Sequence, residues 1–211
     1  TDLPEQKNNK KLLAFAPEYN YTNSEDGSVY YIYNEDSTKI FLKPLPGAIK
    51  EVNGIKKYYN ADIFEKKYAT ESNFKKHARD YDIIHLAMHT IIDDRNPAYS
   101  KLIFEKTDNE KEDGLLNTYE IFNMELKSRM VVLSSCNSGY GKLQTGEGIM
   151  SLARGFIYAG CPALLMTLWT VEDQSGSDIM ISFYKNLNSG MSKDQALRYA
   201  KLTYLKNCDQ L

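Results

Sequence analysis

Apolar runs punctuate this chain, and most of them stop abruptly at polar or turn residues. Leu12–Ala16 stops at Pro17, and the strand expected over Tyr81–His89 stops at the polar stretch Thr90–Asn96. Leu102–Phe104 stops at the charged stretch Glu105–Asp113, and Met130–Leu133 at Ser134-Ser135-Cys136-Asn137-Ser138-Gly139. Pro162–Leu168 stops at Trp169–Asp173. Short unbroken runs of this kind predict buried strands of a parallel sheet. Val29–Tyr33 and Lys39–Leu42 flank a polar turn and predict a hairpin, and Ala61–Phe64 is a weaker strand signal.

Helical periodicity fills the intervals. Pro46-Gly47 opens a helix with Ala48, Val52, Ile55 and Tyr59 at helical spacing, and Thr70 is placed to cap a helix from Glu71 to about Arg79. A short helix is expected from about Tyr119 to Met124. Gly146-Glu147-Gly148 leads into a helix whose Ile149, Leu152, Ala153, Phe156 and Ile157 fit one face, with Gly160 at its C-terminal end. Another helix runs from about Ser177 to Leu187, and Ser192 with Gln195 resembles a capping box before a last helix packing Ala196, Leu197 and Ala200. This alternation predicts a three-layer α/β fold with a mainly parallel central sheet flanked by helices.

Composition narrows the function. The 211 residues suit one large domain, and 26 basic against 28 acidic residues leave a net charge of −2. That balance gives no general reason to expect nucleic acid or an anionic membrane as partner. The three cysteines, at 136, 161 and 208, are odd in number and widely spaced. They form no secreted disulfide framework and point to a reducing compartment, the cytoplasm. No apolar run approaches the ~18 residues of a membrane span. Thr1–Lys11 is charged and predicts a linker or the end of a preceding domain, with the domain proper at 12–211. The sixteen tyrosines are scattered and read mostly as half-buried packing.

Candidate chemistry collects at carboxyl ends of strands, where open α/β sheets place their sites. His89, Cys136 and the pair Trp169 and Asp173 all sit there. A cysteine nucleophile needs a base to hold the thiolate, and adjacent parallel strands can deliver a histidine to it. Their sequence separation is close to the ~50 residues of the same pair in caspases. The turn after Cys136 could direct backbone N–H groups at an oxyanion. His85 and His89 also form an H-x-x-x-H pair, but the flanking isoleucines predict a strand and no glutamate follows His85. No metal or cofactor is expected. Cys161 precedes a proline at a strand start and predicts core, and Cys208 lies near the end of the chain.

These motifs together resemble the CHAT family of caspase-like peptidases, of the caspase, separase and gingipain group, often joined to tetratricopeptide repeats. The resemblance rests on Asp82–His89, Leu133–Gly139, Gly146-Glu147-Gly148 with Leu152–Phe156, and Leu168–Asp173, supported by Pro46–Glu51 and Asp113–Leu116. It implies a His89–Cys136 dyad, with His85 structural. It also implies an oxyanion hole from the backbone N–H groups of Cys136 and of Thr90, where relatives usually carry glycine. Trp169, Asp173 and Glu147 are the substrate-binding candidates, Asp173 against a basic side chain or as a helix cap. The activity implied is a cysteine endopeptidase cutting a dedicated protein partner in bacterial defence or regulated cell death, a gasdermin among the possible substrates. An activating N-terminal or partner domain is implied as well. The loops Thr90–Tyr99 and Glu105–Asp113 are expected to order on activation. A catalytically silent caspase-like interaction module and a thiol-dependent acyl transferase are the alternatives.

Overall fold

The computed structural model describes residues 8–19, 30–33, 39–106, 111–134, 147–167 and 171–208. Five strands build the central sheet: β1 (Asn8–Ala16), β4 (Tyr59–Glu65), β5 (Ile83–Leu86), β9 (Met130–Leu133) and β10 (Leu164–Met166). All are parallel, in the order β10-β9-β5-β1-β4. Leu12 through Ala16 are fully buried, as expected for a strand with neighbours on both edges and helices on its faces. β1 begins at Asn8, inside the stretch expected to be a linker. The Lys11 N–H donates to the Asp82 carboxylate at 3.0 Å and Asp82 donates back to the Lys11 carbonyl, which carries the strand past its apolar run.

Two antiparallel units decorate this sheet. β2 (Tyr30–Tyr33) and β3 (Lys39–Leu42) form the expected hairpin between β1 and α1 (Pro46–Ile55). β6 (Thr90–Ile91), β7 (Lys101–Ile103) and β8 (Leu115–Asn117) form a small sheet inserted between β5 and β9. Thr90 and Ile91 were expected in a polar loop. Pairing to Leu102 and Lys101 makes them a strand and buries them.

The helices are α1, α2 (Glu71–His77), α3 (Thr118–Ile121), α4 (Glu147–Tyr158), α5 (Asp173–Asn188) and α6 (Lys193–Lys206). α1, α5 and α6 pack as one group, and α3 with α4 as another, giving the layered α/β architecture that the periodicity predicts. Thr70 caps α2 by accepting from the Asn73 N–H at 3.2 Å. Gly160 takes φ +109° just past α4, where a Cβ would lie 2.6 Å from the Leu126 carbonyl.

Several details differ from the periodicity. Tyr59 pairs in β4 and does not extend the face of α1. Ile157 is 55% exposed, because α4 buries the stripe through Ile149, Leu152, Ala153 and Phe156 and leaves 157 outside it. Ser192 precedes α6 but forms no capping box; its hydroxyl donates to Asp194 at 2.5 Å. α5 starts at Asp173, a turn earlier than expected. β10 is half-buried rather than buried, as befits the edge of the sheet.

Candidate functional site

β1 sends its successor β4 to one side of the sheet, and β5, β9 and β10 lie on the other. The carboxyl ends of β1 and β5 therefore flank the switch point at which open α/β sheets form crevices. His89 lies there. The Ala87 N–H donates to the Phe15 carbonyl at 2.9 Å, ending the parallel ladder, and the chain then turns to meet β7. The His89 carbonyl accepts from the Ile103 N–H at 3.0 Å, and its N–H donates to the Tyr19 hydroxyl at 2.9 Å.

The imidazole is only 4% exposed and lies against the Tyr19 ring, with centroids 4.7 Å apart. Nε2 is 2.7 Å from the Lys43 carbonyl. A carbonyl only accepts, so Nε2 carries a proton, and in the neutral imidazole the lone pair sits on Nδ1. The fold thus selects a tautomer with a defined basic nitrogen.

The register pairs Leu86 of β5 with Leu133 of β9, so the two chains leave the sheet at one level. His89 and Cys136 are each three positions past that pair. Cys136 and Trp169 lie outside the described residues. Ser134, just past β9, donates its N–H to the Leu86 carbonyl at 2.9 Å and its hydroxyl to Glu51 Oε2 at 2.9 Å.

Glu51 is the buried acid of this region. Its Oε1 lies 2.9 Å from His85 Nε2, close enough for charge pairing but poorly aligned as a hydrogen bond. His85 Nδ1 is 3.1 Å from the Tyr184 hydroxyl. Both ring nitrogens of His85 thus face protein groups in the core, while His89 faces Lys43. Burial raises the Glu51 carboxyl above the ordinary glutamic acid value, against the lowering influence of His85 and Ser134. A narrow cleft runs past Leu45, Ala48, Glu51, Ser134, Asp173 and Ser177, with room for about one water, ≈ 20 Å³. Glu51 belongs to the Pro46–Glu51 motif, and helical spacing after Pro46 was the available signal that it would face inward.

Asp173 lines the same cleft, and its carboxylate accepts from the Gly47 N–H at 2.5 Å. It therefore caps α1, not the helix that it begins. Gly47 is needed there because a Cβ would sit 2.6 Å from Asp173. Glu147 opens α4, is not among the cleft residues, and lies 3.3 Å from Arg154 on the exposed surface. Thr90 sits in β6 opposite Leu102. His89 and Ile103 form the hydrogen-bonded pair, so the intervening Thr90 N–H is directed away from β7. Cys161 is buried and its thiol is pushed up by desolvation, as expected for core. Among the described residues no helix is long and apolar enough to cross a membrane.

Comparison with known proteins places this sequence in a family. A flavodoxin from Streptococcus pneumoniae TIGR4 aligns over 86% of the chain at 11% identity with a TM-score of 0.43, too distant to carry an argument. Human Tetratricopeptide repeat protein 28 is 24% identical over 185 residues, 73% of this chain and 7% of that protein. The mouse protein of the same name is 30% identical over 83 residues, 39% of this chain and 3% of that protein. The chain spans less than a tenth of the length of these relatives. A profile of the CHAT domain matches residues 3–210, nearly the whole sequence, and the chain belongs to that caspase-related family.

Proposed function

We propose that this domain is a cysteine endopeptidase in which His89 and Cys136 form the catalytic dyad. The observation that carries the reading is the fixed tautomer of His89 at the end of the strand beside the one that leads to Cys136. Nδ1 takes the thiol proton, and the sulfur attacks the carbonyl carbon of the scissile peptide. The oxyanion that forms is stabilised by the backbone N–H groups of Thr90 and Cys136. The imidazolium returns its proton to the departing amine, leaving an acyl-enzyme. Water then attacks the thioester, with His89 again as base, and the thiol is regenerated.

The cleft beside Ser134 would take the side chain before the cut. Three carboxyl groups, Glu51, Glu172 and Asp173, border it, and they favour a basic side chain once the cleft opens. Trp169 and Glu147 belong to the same proposal as outer contacts. The substrate is a dedicated protein partner, with a gasdermin-type substrate and a defence or cell-death setting in the cytoplasm suggested by family alone. An activating preceding or partner domain completes the proposal.

The test is single-turnover labelling of Cys136 with a peptide-like thiol trap, with Cys161 and Cys208 replaced, followed by cleavage of a co-encoded protein. Cys136→Ala should abolish both, and His89→Ala should slow labelling by at least 10²-fold. Wild-type labelling and cleavage in a folded His89→Ala variant would reject the dyad. Absence of both in the wild type, with substrate bound, would support a silent interaction module instead.

A further inference from the structure

We propose that Tyr19 is a positioning residue for His89, and that Glu105 holds Tyr19 in place to do so. The inference rests on the reading of His89 as the catalytic base. It comes from how the chain behaves just past β1. Tyr19 has φ +56°, in the left-handed region that bulky side chains seldom occupy. Such a conformation persists only where the surroundings over-determine it. Here they do. The Glu105 carboxylate, buried beside the end of β7, accepts from two consecutive backbone N–H groups through one oxygen, Glu18 at 2.9 Å and Tyr19 at 2.7 Å. The Glu105 N–H is itself tied to the Ala69 carbonyl at 3.0 Å.

The result is a fully buried phenol delivered into a strand pair. In an antiparallel hydrogen-bonded pair, the two residues exchange two direct N–H···O bonds. His89 and Ile103 exchange only one, from the Ile103 N–H to the His89 carbonyl. The other is relayed. The His89 N–H donates to the Tyr19 hydroxyl at 2.9 Å, and that hydroxyl donates to the Ile103 carbonyl at 2.6 Å. The oxygen is inserted at the peptide of the proposed base. The ring of the same tyrosine then lies on the imidazole, with the planes at 45°. One side chain therefore fixes both the backbone and the ring plane of His89, while Lys43 fixes its proton. A tyrosine serving only to fill core would need neither the unusual φ nor a seat inside this rung.

The hydroxyl and the ring can be separated by Tyr19→Phe, which keeps the tilted ring contact and removes the relay. Two readouts on the full chain apply. One is the pair of ring ¹⁵N shifts of His89, which report its tautomer and need no activity. The other is the rate of Cys136 alkylation, with Cys161 and Cys208 replaced. Tyr19→Phe should stay folded, mix the two His89 tautomers, and slow alkylation about tenfold, the order expected for one hydrogen bond at the base. On a verified substrate the loss should fall on kcat with KM unchanged. Glu105→Gln, which keeps an acceptor oxygen, should change the same ¹⁵N shifts in the same direction by less, and it serves as the second probe if Tyr19→Phe does not fold. Wild-type His89 shifts in either folded variant would overturn the proposal and leave Tyr19 as packing. If the dyad itself is wrong, Cys136 reactivity will be insensitive to His89→Ala while the ¹⁵N shifts still answer for Tyr19, so the two failures are distinguishable.

Discussion

Replacing Glu51 isolates the buried acid that joins α1 to the end of β9. Glu51→Ala removes the acceptor of the half-buried Ser134 hydroxyl and the carboxyl group facing the fully buried His85. Leaving a buried polar group without its hydrogen-bonding partner costs about 1–3 kcal/mol, and both Ser134 and His85 lose one here. The two losses share one carboxyl group, so the expected cost is about 2–4 kcal/mol, a fall in Tm of roughly 4–16 °C for a domain of this size. Glu51→Gln keeps the shape and an oxygen for Ser134, so it should cost at most about 1 kcal/mol near neutral pH.

The comparison has a pH signature. Burial raises the folded-state value of Glu51 above its unfolded value, so over the range between them the folded state binds the extra proton. The contribution of Glu51 to stability is then fully present below the ordinary glutamic acid range and is lost as pH rises through the raised value. Glutamine does not titrate. The stability of Glu51→Gln relative to wild type should therefore rise as pH rises from about 4 upward. Urea denaturation of both variants from pH 4 to 8 measures this. A Glu51→Ala cost below about 1 kcal/mol, or a pH-independent difference between Glu51→Gln and wild type, would refute the account of Glu51 as a buried, hydrogen-bonded acid.

Lys75 lies within 2.8 Å of Glu71, Glu112 and Glu120, and these neighbours raise its amine above the ordinary lysine value. Lys75→Met should destabilise by about 2–4 kcal/mol at pH 7, with part of the loss recovered toward pH 4 as Glu71, whose carboxyl burial raises above the ordinary value, protonates, by thermal melting across pH. Gly160→Ala forces a Cβ to 2.6 Å from the Leu126 carbonyl at φ +109° and should cost at least about 2 kcal/mol, read from the urea midpoint. The Arg154–Glu147 pair is 60% and 55% exposed, so Arg154→Ala should change the same midpoint by less than about 0.5 kcal/mol.

The strands that position the site were legible because their burial is written in apolar runs, interrupted in β5 only by His85. Leu12–Ala16, Ile83–Leu86 and Met130–Leu133 each fall where those runs predict. The helices were legible to within a turn, and Thr70 caps where expected. Features made by distant pairing were not. Thr90 and Ile91 look polar and short, and only β7 makes them a strand. Nothing in the sequence distinguishes Tyr19 from fifteen other tyrosines, because its importance comes from a backbone turn and from Glu105, far along the chain. Asp173 was anticipated as a helix cap, but which helix it caps is set by packing between α1 and α5.

The bond from Gly47 to Asp173 also bears on biosynthesis. It joins residues 126 positions apart, and the cleft needs Leu45 to Glu51 from early in the chain and Thr167 to Ser177 from late in it. At ribosomal rates of roughly 5–20 residues per second, the second wall follows the first by about 6–25 s. Once residue 86 has been made, β1, α1 and β5 can meet within that interval, but the cleft still has only one side. A chain still under synthesis up to Asp173 therefore lacks one wall of the proposed substrate cleft, even after Cys136 has been added. The order of residues along the message by itself delays the proposed activity until the domain is nearly complete.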